Sequence, residues 1–183
     1  MKKIFMKNKR IYLRILEKSD IVNTQKWIND SEISEIMGYL PVLSYENQLD
    51  WYDKIKNDKS RFIFAICENK SNVHIGNAGL GRIDYVNKNC MFNIFFARKE
   101  DRGRGFGSEA TLLVLEFAFN RLNMHKVYLQ TSLRFMSAIK MYEKLGFKKD
   151  GVLREHYYTN GVYEDKLIFS IIKKEYYEYK KNL

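Results

Sequence analysis

Residues 102–108 read Arg-Gly-Arg-Gly-Phe-Gly-Ser and lead into an apolar segment. Glycine lets a backbone approach a ligand closely, and successive N–H groups at a helix N-terminus can cradle a phosphate. Neither familiar nucleotide loop is spelled out. G-x-x-x-x-G-K-[ST] is absent. G-x-G-x-x-G would need glycine at Ser108 and an acidic residue about 20 positions later, where Leu129, Gln130 and Thr131 stand. A tight turn without a ligand explains the alternating glycines equally well, so the flanking residues must decide. Tyr142 shares a helical stripe with Ala138 and Leu145; from spacing alone a core tyrosine is the stronger reading, and a proton-donating phenol is the other. His74 and His125 are isolated and read as structural. Cys67 and Cys90 lie in apolar surroundings and fit neither a disulfide framework nor metal-ligand spacing, so no metal and no redox chemistry are expected.

The chain has 183 residues, with 32 Lys or Arg against 22 Asp or Glu, a net charge of +10. That length suits one domain, residues 1–183. The charge is uneven. Lys2, Lys3, Lys7, Lys9, Arg10 and Arg14 precede the first acidic residue, Glu17; a second concentration runs from Arg98 to Arg104, and a third from Arg134 to Lys149. Basic surface attracts any polyanion and does not choose among them. The longest apolar stretch, Phe62 to Cys67, is six residues, far short of the roughly 20 that span a bilayer. The basic N-terminus lacks a hydrophobic region of signal-peptide length. A cytoplasmic protein with no membrane partner is expected.

The elements that must position these residues follow from periodicity. Ile11 to Leu16 reads as a strand, and Ser19-Asp20 offers a cap for a helix through Trp27-Ile28. Ser44 caps a second helix carrying Leu49, Trp51, Tyr52 and Ile55, with Pro41 as the break between the two. Arg61 to Glu68, Val73 to Tyr85 and Cys90 to Ala97 form an antiparallel meander across short polar turns. The glycine loop then opens a buried helix, Glu109 to Leu122, followed by a strand, Lys126 to Thr131, so a crossover makes these two strands parallel. Phe135 to Leu145 is a helix stopped at Gly146, and Asn160-Gly161 joins the last hairpin, about Phe147 to Tyr158 and Val162 to Ile172.

Two of these segments together resemble a known family. Arg102-x-x-Gly105-x-Gly107 matches the [QR]-x-x-G-x-[GA] acetyl-CoA loop of the GNAT superfamily of N-acetyltransferases, and Tyr142-Glu143-Lys144-Leu145-Gly146-Phe147 matches its Y-E-K-L-G-F signature. The resemblance extends from Leu13-Arg14 through Trp27-Ile28-Asn29-Asp30 to the final hairpin. It is nearest the branch with ribosomal-protein N-terminal, spermidine and nucleotide-linked amino-sugar acetyltransferases. It implies a single α/β (α+β) domain, with a mixed, mostly antiparallel sheet of about seven strands and about four flanking helices.

The resemblance also implies roles. The pantetheine arm would pair with the backbone of Phe95, Phe96, Ala97 and Arg98. The pyrophosphate would rest on the N–H groups of Arg104, Gly105, Phe106, Gly107 and Ser108, beyond Gly103, with Arg102, Arg104 and Lys144 or Lys140 adding charge. Tyr142 would protonate the departing thiolate, and a backbone N–H near Phe96 would hold the oxyanion. Glu155 or its neighbour His156 would serve as base; in a regular strand only one of the two reaches the cleft. A solvated Glu155 is as good a reading. Phe135 stands where many relatives place an asparagine that contacts the cofactor.

The first two helices and the hairpin would supply the acceptor site, with Trp27, Asn29, Glu32, Glu35, Tyr39, Trp51, Glu155 and Tyr157 as candidates. A small-molecule or peptide amine is the expected acceptor, and the +10 charge opposes a polycation. Protein N-termini and nucleotide-linked amino sugars rank evenly. Nucleic acid is not required. Homodimers are common in the family, but the residues do not decide that point. The competing readings are a non-catalytic RNA- or ribosome-binding module and an acetyl-CoA sensor on the same fold.

Overall fold

The computed structural model describes residues 3–37, 42–159 and 161–182, with the side chains of 35–37 left aside. Among them one sheet gathers eight strands in the order β1-β2-β3-β4-β5-β6-β8-β7. The strands are β1 (Met6–Lys7), β2 (Ile11–Ile15), β3 (Phe62–Glu68), β4 (His74–Asp84), β5 (Asn89–Phe96), β6 (Lys126–Ser132), β7 (Lys148–Thr159) and β8 (Val162–Ile172). The helices are α1 (Ile21–Ile28), α2 (Ser31–Met37), α3 (Tyr45–Ile55), α4 (Phe106–Glu116), α5 (Met136–Lys144) and α6 (Lys173–Lys181). Every pairing is antiparallel except β5 with β6. The mixed sheet and the crossover are as the pattern predicts, and β1, α2 and α6 are additions to it. The Lys173–Lys181 segment is polar almost all round. It holds to the body through Tyr176, 1% exposed and 4.9 Å from the Phe119 ring.

Alternation along the strands divides the molecule into two faces. Phe64, Ile66, Ala78, Leu80, Cys90 and Phe92 pack with α4, α5 and α6 on one side. Tyr12, Ala65 and Cys67 pack with Leu16 and Ile21 and against Leu49, Trp51 and Tyr52 of α3 on the other. Ser44 starts α3 as predicted, its hydroxyl accepting from the Asn47 N–H at 3.1 Å. Asp20 does not cap α1 with its side chain. Its carboxylate is buried and takes the Arg14 guanidinium at 2.5 and 2.9 Å.

One irregularity shapes the site. β5 and β6 pair only at Asn89–Lys126, Cys90–Val127 and Met91–Tyr128. Beyond that point Phe92–Phe96 stays with β4 and Leu129–Ser132 goes with β8, so the facing strand edges part into a wedge. Among the described residues no helix is long and apolar enough to cross a membrane.

Candidate active site

A cleft of about 1200 Å³ fills this wedge and runs to the α1/α3 side of the sheet. At one end is the start of α4. Gly105 is its N-cap with φ +80°, a left-handed conformation suited to glycine. The first N–H groups of α4 have no acceptor within the helix and, with the macrodipole, favour an anion there. Arg10 braces this turn from the opposite end of the chain. Its backbone N–H and Nε reach the Glu109 carboxylate at 3.0 and 2.7 Å, and Nη1 donates to the Arg104 carbonyl at 2.5 Å. A side chain at Gly105 would collide with that guanidinium.

The arginines expected to meet phosphate are engaged within the protein. Arg98 forms a fork on buried Asp101 at 2.8 and 3.0 Å. Arg104 pairs with Glu68 at 2.8 Å and stacks 4.5 Å from the Phe106 ring centroid. Arg102 pairs with Glu32 at 2.5 Å and is alone among the three in lining the cleft. Gly103, Gly105, Gly107 and Ser108 line it, whereas the Phe106 side chain is buried in the core. Phe95 and Phe96 line the wedge; the Ala97 N–H is spent on the Ile75 carbonyl at 2.9 Å. Lys144 and Lys140 are exposed and lie outside the lining. Phe135 does line the cleft, with the Arg134 guanidinium 5.3 Å above its ring.

Tyr142 forms part of the wall, only 7% exposed, with its ring edge-on to Phe92 at 6.4 Å. Phe92 is the first β5 residue past the last pair with β6. Among the described residues the Tyr142 hydroxyl makes no hydrogen bond. Burial raises its pKa well above the ordinary tyrosine value.

The acceptor candidates separate. Glu32, Trp51 and Tyr157 line the cleft. Glu32 is held below its usual pKa by Arg102 and then Lys99. Trp27 turns instead to His74 and Phe95, 4.7 and 6.1 Å away, and is not in the lining. Asn29 is a clip: Oδ1 accepts from the Val42 and Leu43 N–H groups at 3.1 and 2.9 Å, and Nδ2 donates to the Leu43 carbonyl at 2.8 Å. Tyr39 and Pro41 lie outside the described residues, as does the Glu35 side chain.

Glu155 corrects the strand argument. The β7–β8 register shifts between Leu153 and Tyr157, so simple alternation does not apply there. Glu155 has φ +48° and its N–H donates to Asp165 at 2.9 Å. Both Glu155 and His156 are exposed and neither lines the cleft.

Several lining residues were not foreseen. Gln48 is 3% exposed and its Oε1 has no hydrogen-bond partner. Its signal was a polar residue at helical spacing from Trp51, Tyr52 and Ile55. Asn77, on β4, accepts from His74 Nε2 at 2.8 Å. Arg82, Arg134 and Lys166 complete the cationic part of the wall.

Residues 10–148 match the Acetyltransferase (GNAT) domain family. Spermidine N(1)-acetyltransferase of Vibrio cholerae is 29% identical over 92% of this chain and 96% of its own length. The SPbeta prophage-derived uncharacterized N-acetyltransferase YokL of Bacillus subtilis is 32% identical, covering 90% of each chain. The crystal structure of spermidine N-acetyltransferase from Vibrio cholerae in complex with CoA and spermine superposes with a TM-score of 0.88 at 28% identity, over 93% of this chain and 99% of that one. The residues present fit a coenzyme A thioester: parted strand edges can accept an amide-bearing arm, and the bare N–H groups of α4 can accept a pyrophosphate. Since the matched span takes in every strand from β2 to β6 and the helix carrying Tyr142, the chain belongs to the GNAT acetyltransferases, with acetyl-CoA as donor and a primary amine as acceptor.

Proposed function

We propose that Tyr142 is the proton donor of this acetyltransferase and that its acceptor is a small aliphatic amine reaching the wedge from the α1/α3 side. Acetyl-CoA supplies the activated acetyl group. The observation that carries the reading is Tyr142 in the cleft wall beside Phe92, where β5 and β6 part, with no hydrogen bond to its hydroxyl among the described residues. A phenol kept neutral by burial can give its proton to a developing thiolate. Phe95 and Phe96 offer backbone along one strand edge, and Phe106, Gly107 and Ser108 offer N–H groups to the pyrophosphate. Phe135 supplies an apolar surface.

No base is assigned to Glu155. Among the described lining residues the carboxylates are Glu32 and Asp101, both held by arginines, and no histidine lines the cleft. The acceptor therefore enters as the free amine or gives its proton to water. Spermidine is the acceptor named for the Vibrio cholerae and Escherichia coli relatives, which supports a small molecule over a peptide N-terminus. Acetyl-CoA-dependent thiol release across spermidine, UDP-linked amino sugars, aminoglycosides and N-terminal peptides tests this, with Tyr142→Phe alongside. A small-molecule response lost in the variant is expected; a response to peptides alone overturns the acceptor assignment.

A further inference from the structure

The charged side chains lining the cleft are Arg61, Arg82, Arg102, Arg134 and Lys166 against Glu32 and Asp101. Arg61 is answered by Asp58 at 2.6 Å, Arg134 by Glu164 at 2.9 Å and Arg102 by Glu32. Asp101 is taken by Arg98 and Arg104. Arg82 and Lys166 remain, with no carboxylate partner among the described residues. Both line the same cleft, Arg82 from β4 and Lys166 from β8. Lys166 is half-buried, its Nζ 5.3 Å from the Tyr157 ring centroid.

Strand alternation places Lys166 on the acceptor side. Leu167, Phe169 and Ile171 enter the core shared with α4, so Lys166 projects to the opposite face, away from the α4 N-terminus that suits pyrophosphate. A second observation concerns the same cleft. The unpartnered Oε1 of Gln48, 3% exposed, is a carbonyl that an N–H donor would satisfy.

We propose that the acceptor is a primary amine that also carries an anionic group, phosphate or carboxylate, bound by Lys166 and Arg82, with an acceptor N–H directed to Gln48. This rests on the small-amine reading above and gives the second functional group of that amine. It separates this chain from its spermidine-acetylating relatives, because a polyamine brings further positive charge to a wall whose described residues leave two cations without a carboxylate partner.

The test is calorimetric binding to the CoA-saturated protein at low salt, with matched probes: an aminoalkyl phosphate, an ω-amino carboxylate, an amino alcohol of equal length, and spermidine. At least one anionic amine should bind tenfold or more tightly than the amino alcohol, and the two anionic arms identify which group is read. That ratio should fall towards one in Lys166→Gln and in Arg82→Gln. Arg82 is exposed, so its variant keeps the question answerable should Lys166→Gln fold poorly. Spermidine binding more tightly than both anionic probes, equal affinities for charged and neutral amines, or a ratio that survives both substitutions would overturn the proposal. Thiol release run in parallel separates the two readings. Anion-selective binding without transfer to any amine defeats the small-amine acceptor and leaves the anion site standing, whereas transfer without anion preference does the reverse.

Discussion

Arg10 grips Glu109 with both its backbone N–H and its guanidinium, 3.0 and 2.7 Å from the two carboxylate oxygens, across 99 positions of sequence. The same side chain bonds the Arg104 carbonyl, so part of the basic N-terminal segment is a brace for the glycine-rich loop. Glu109 would otherwise hold a negative charge one turn from the place where phosphate is expected. Arg10→Ala should weaken acetyl-CoA binding by about tenfold, the scale of a lost charge-assisted hydrogen bond, and should change turnover at saturation much less. Calorimetry of acetyl-CoA binding checks this, and an unchanged affinity would separate the brace from the cofactor.

Tyr142→Phe removes one hydroxyl that has no hydrogen-bond partner among the described residues and leaves the ring packed against Phe92 and Phe147. Turnover should fall by about 10² or more, the range for a general acid, with acetyl-CoA affinity retained. Steady-state kinetics beside calorimetry reads both quantities. Turnover equal to wild type would remove Tyr142 from the mechanism.

The pH profile follows from the absence of a free carboxylate or histidine among the described lining residues. An alkylamine titrates near 10.4, so log kcat/KM should climb by about one unit per pH unit from neutrality towards the amine's own pKa. Tyr142, raised by burial, adds no falling limb below about pH 10. A plateau beginning near pH 7 would reveal a protein base that the geometry does not supply.

What the sequence made legible is local. The crossover, the turn that opens α4 and the buried position of Tyr142 on its helix were readable because glycine spacing and helical stripes are short-range signals. The candidates that the structure places outside the cleft lining depended on contacts distant in sequence or on broken periodicity. Asn29 looks like a site residue until Leu43 returns to occupy its amide. Glu155 obeys alternation only if β7 is regular, and its register shift cancels that premise. The pairing of Glu32 with Arg102 spans 70 positions, and nothing in composition indicates that Glu32 is already paired. Arg82 and Lys166, on β4 and β8, likewise come to one cleft only through the sheet.

His74 gives a stability prediction in a separate pH window. Its ring is enclosed by Trp27, Asn77 and the Arg14–Asp20 pair, with Nδ1 3.8 Å from the Asp20 carboxylate and Nε2 on Asn77. Burial lowers its pKa below the ordinary value, outweighing the Asn77 bond and the Asp20 charge, which raise it. Below about pH 6.5 the unfolded chain therefore binds a proton that the folded chain resists. The stabilisation is complete above that pH and is lost as pH falls towards the folded value. The carboxylates whose pKa is lowered, among them Asp58 and Asp84, lose their contribution below about pH 5, outside this window. Thermal melts should show Tm falling between pH 7 and 5 in the wild type and falling less in His74→Gln, which can still donate to Asn77 but does not titrate. Parallel curves for the two proteins would mean that His74 accepts its proton in place, through movement of Asp20 or entry of water.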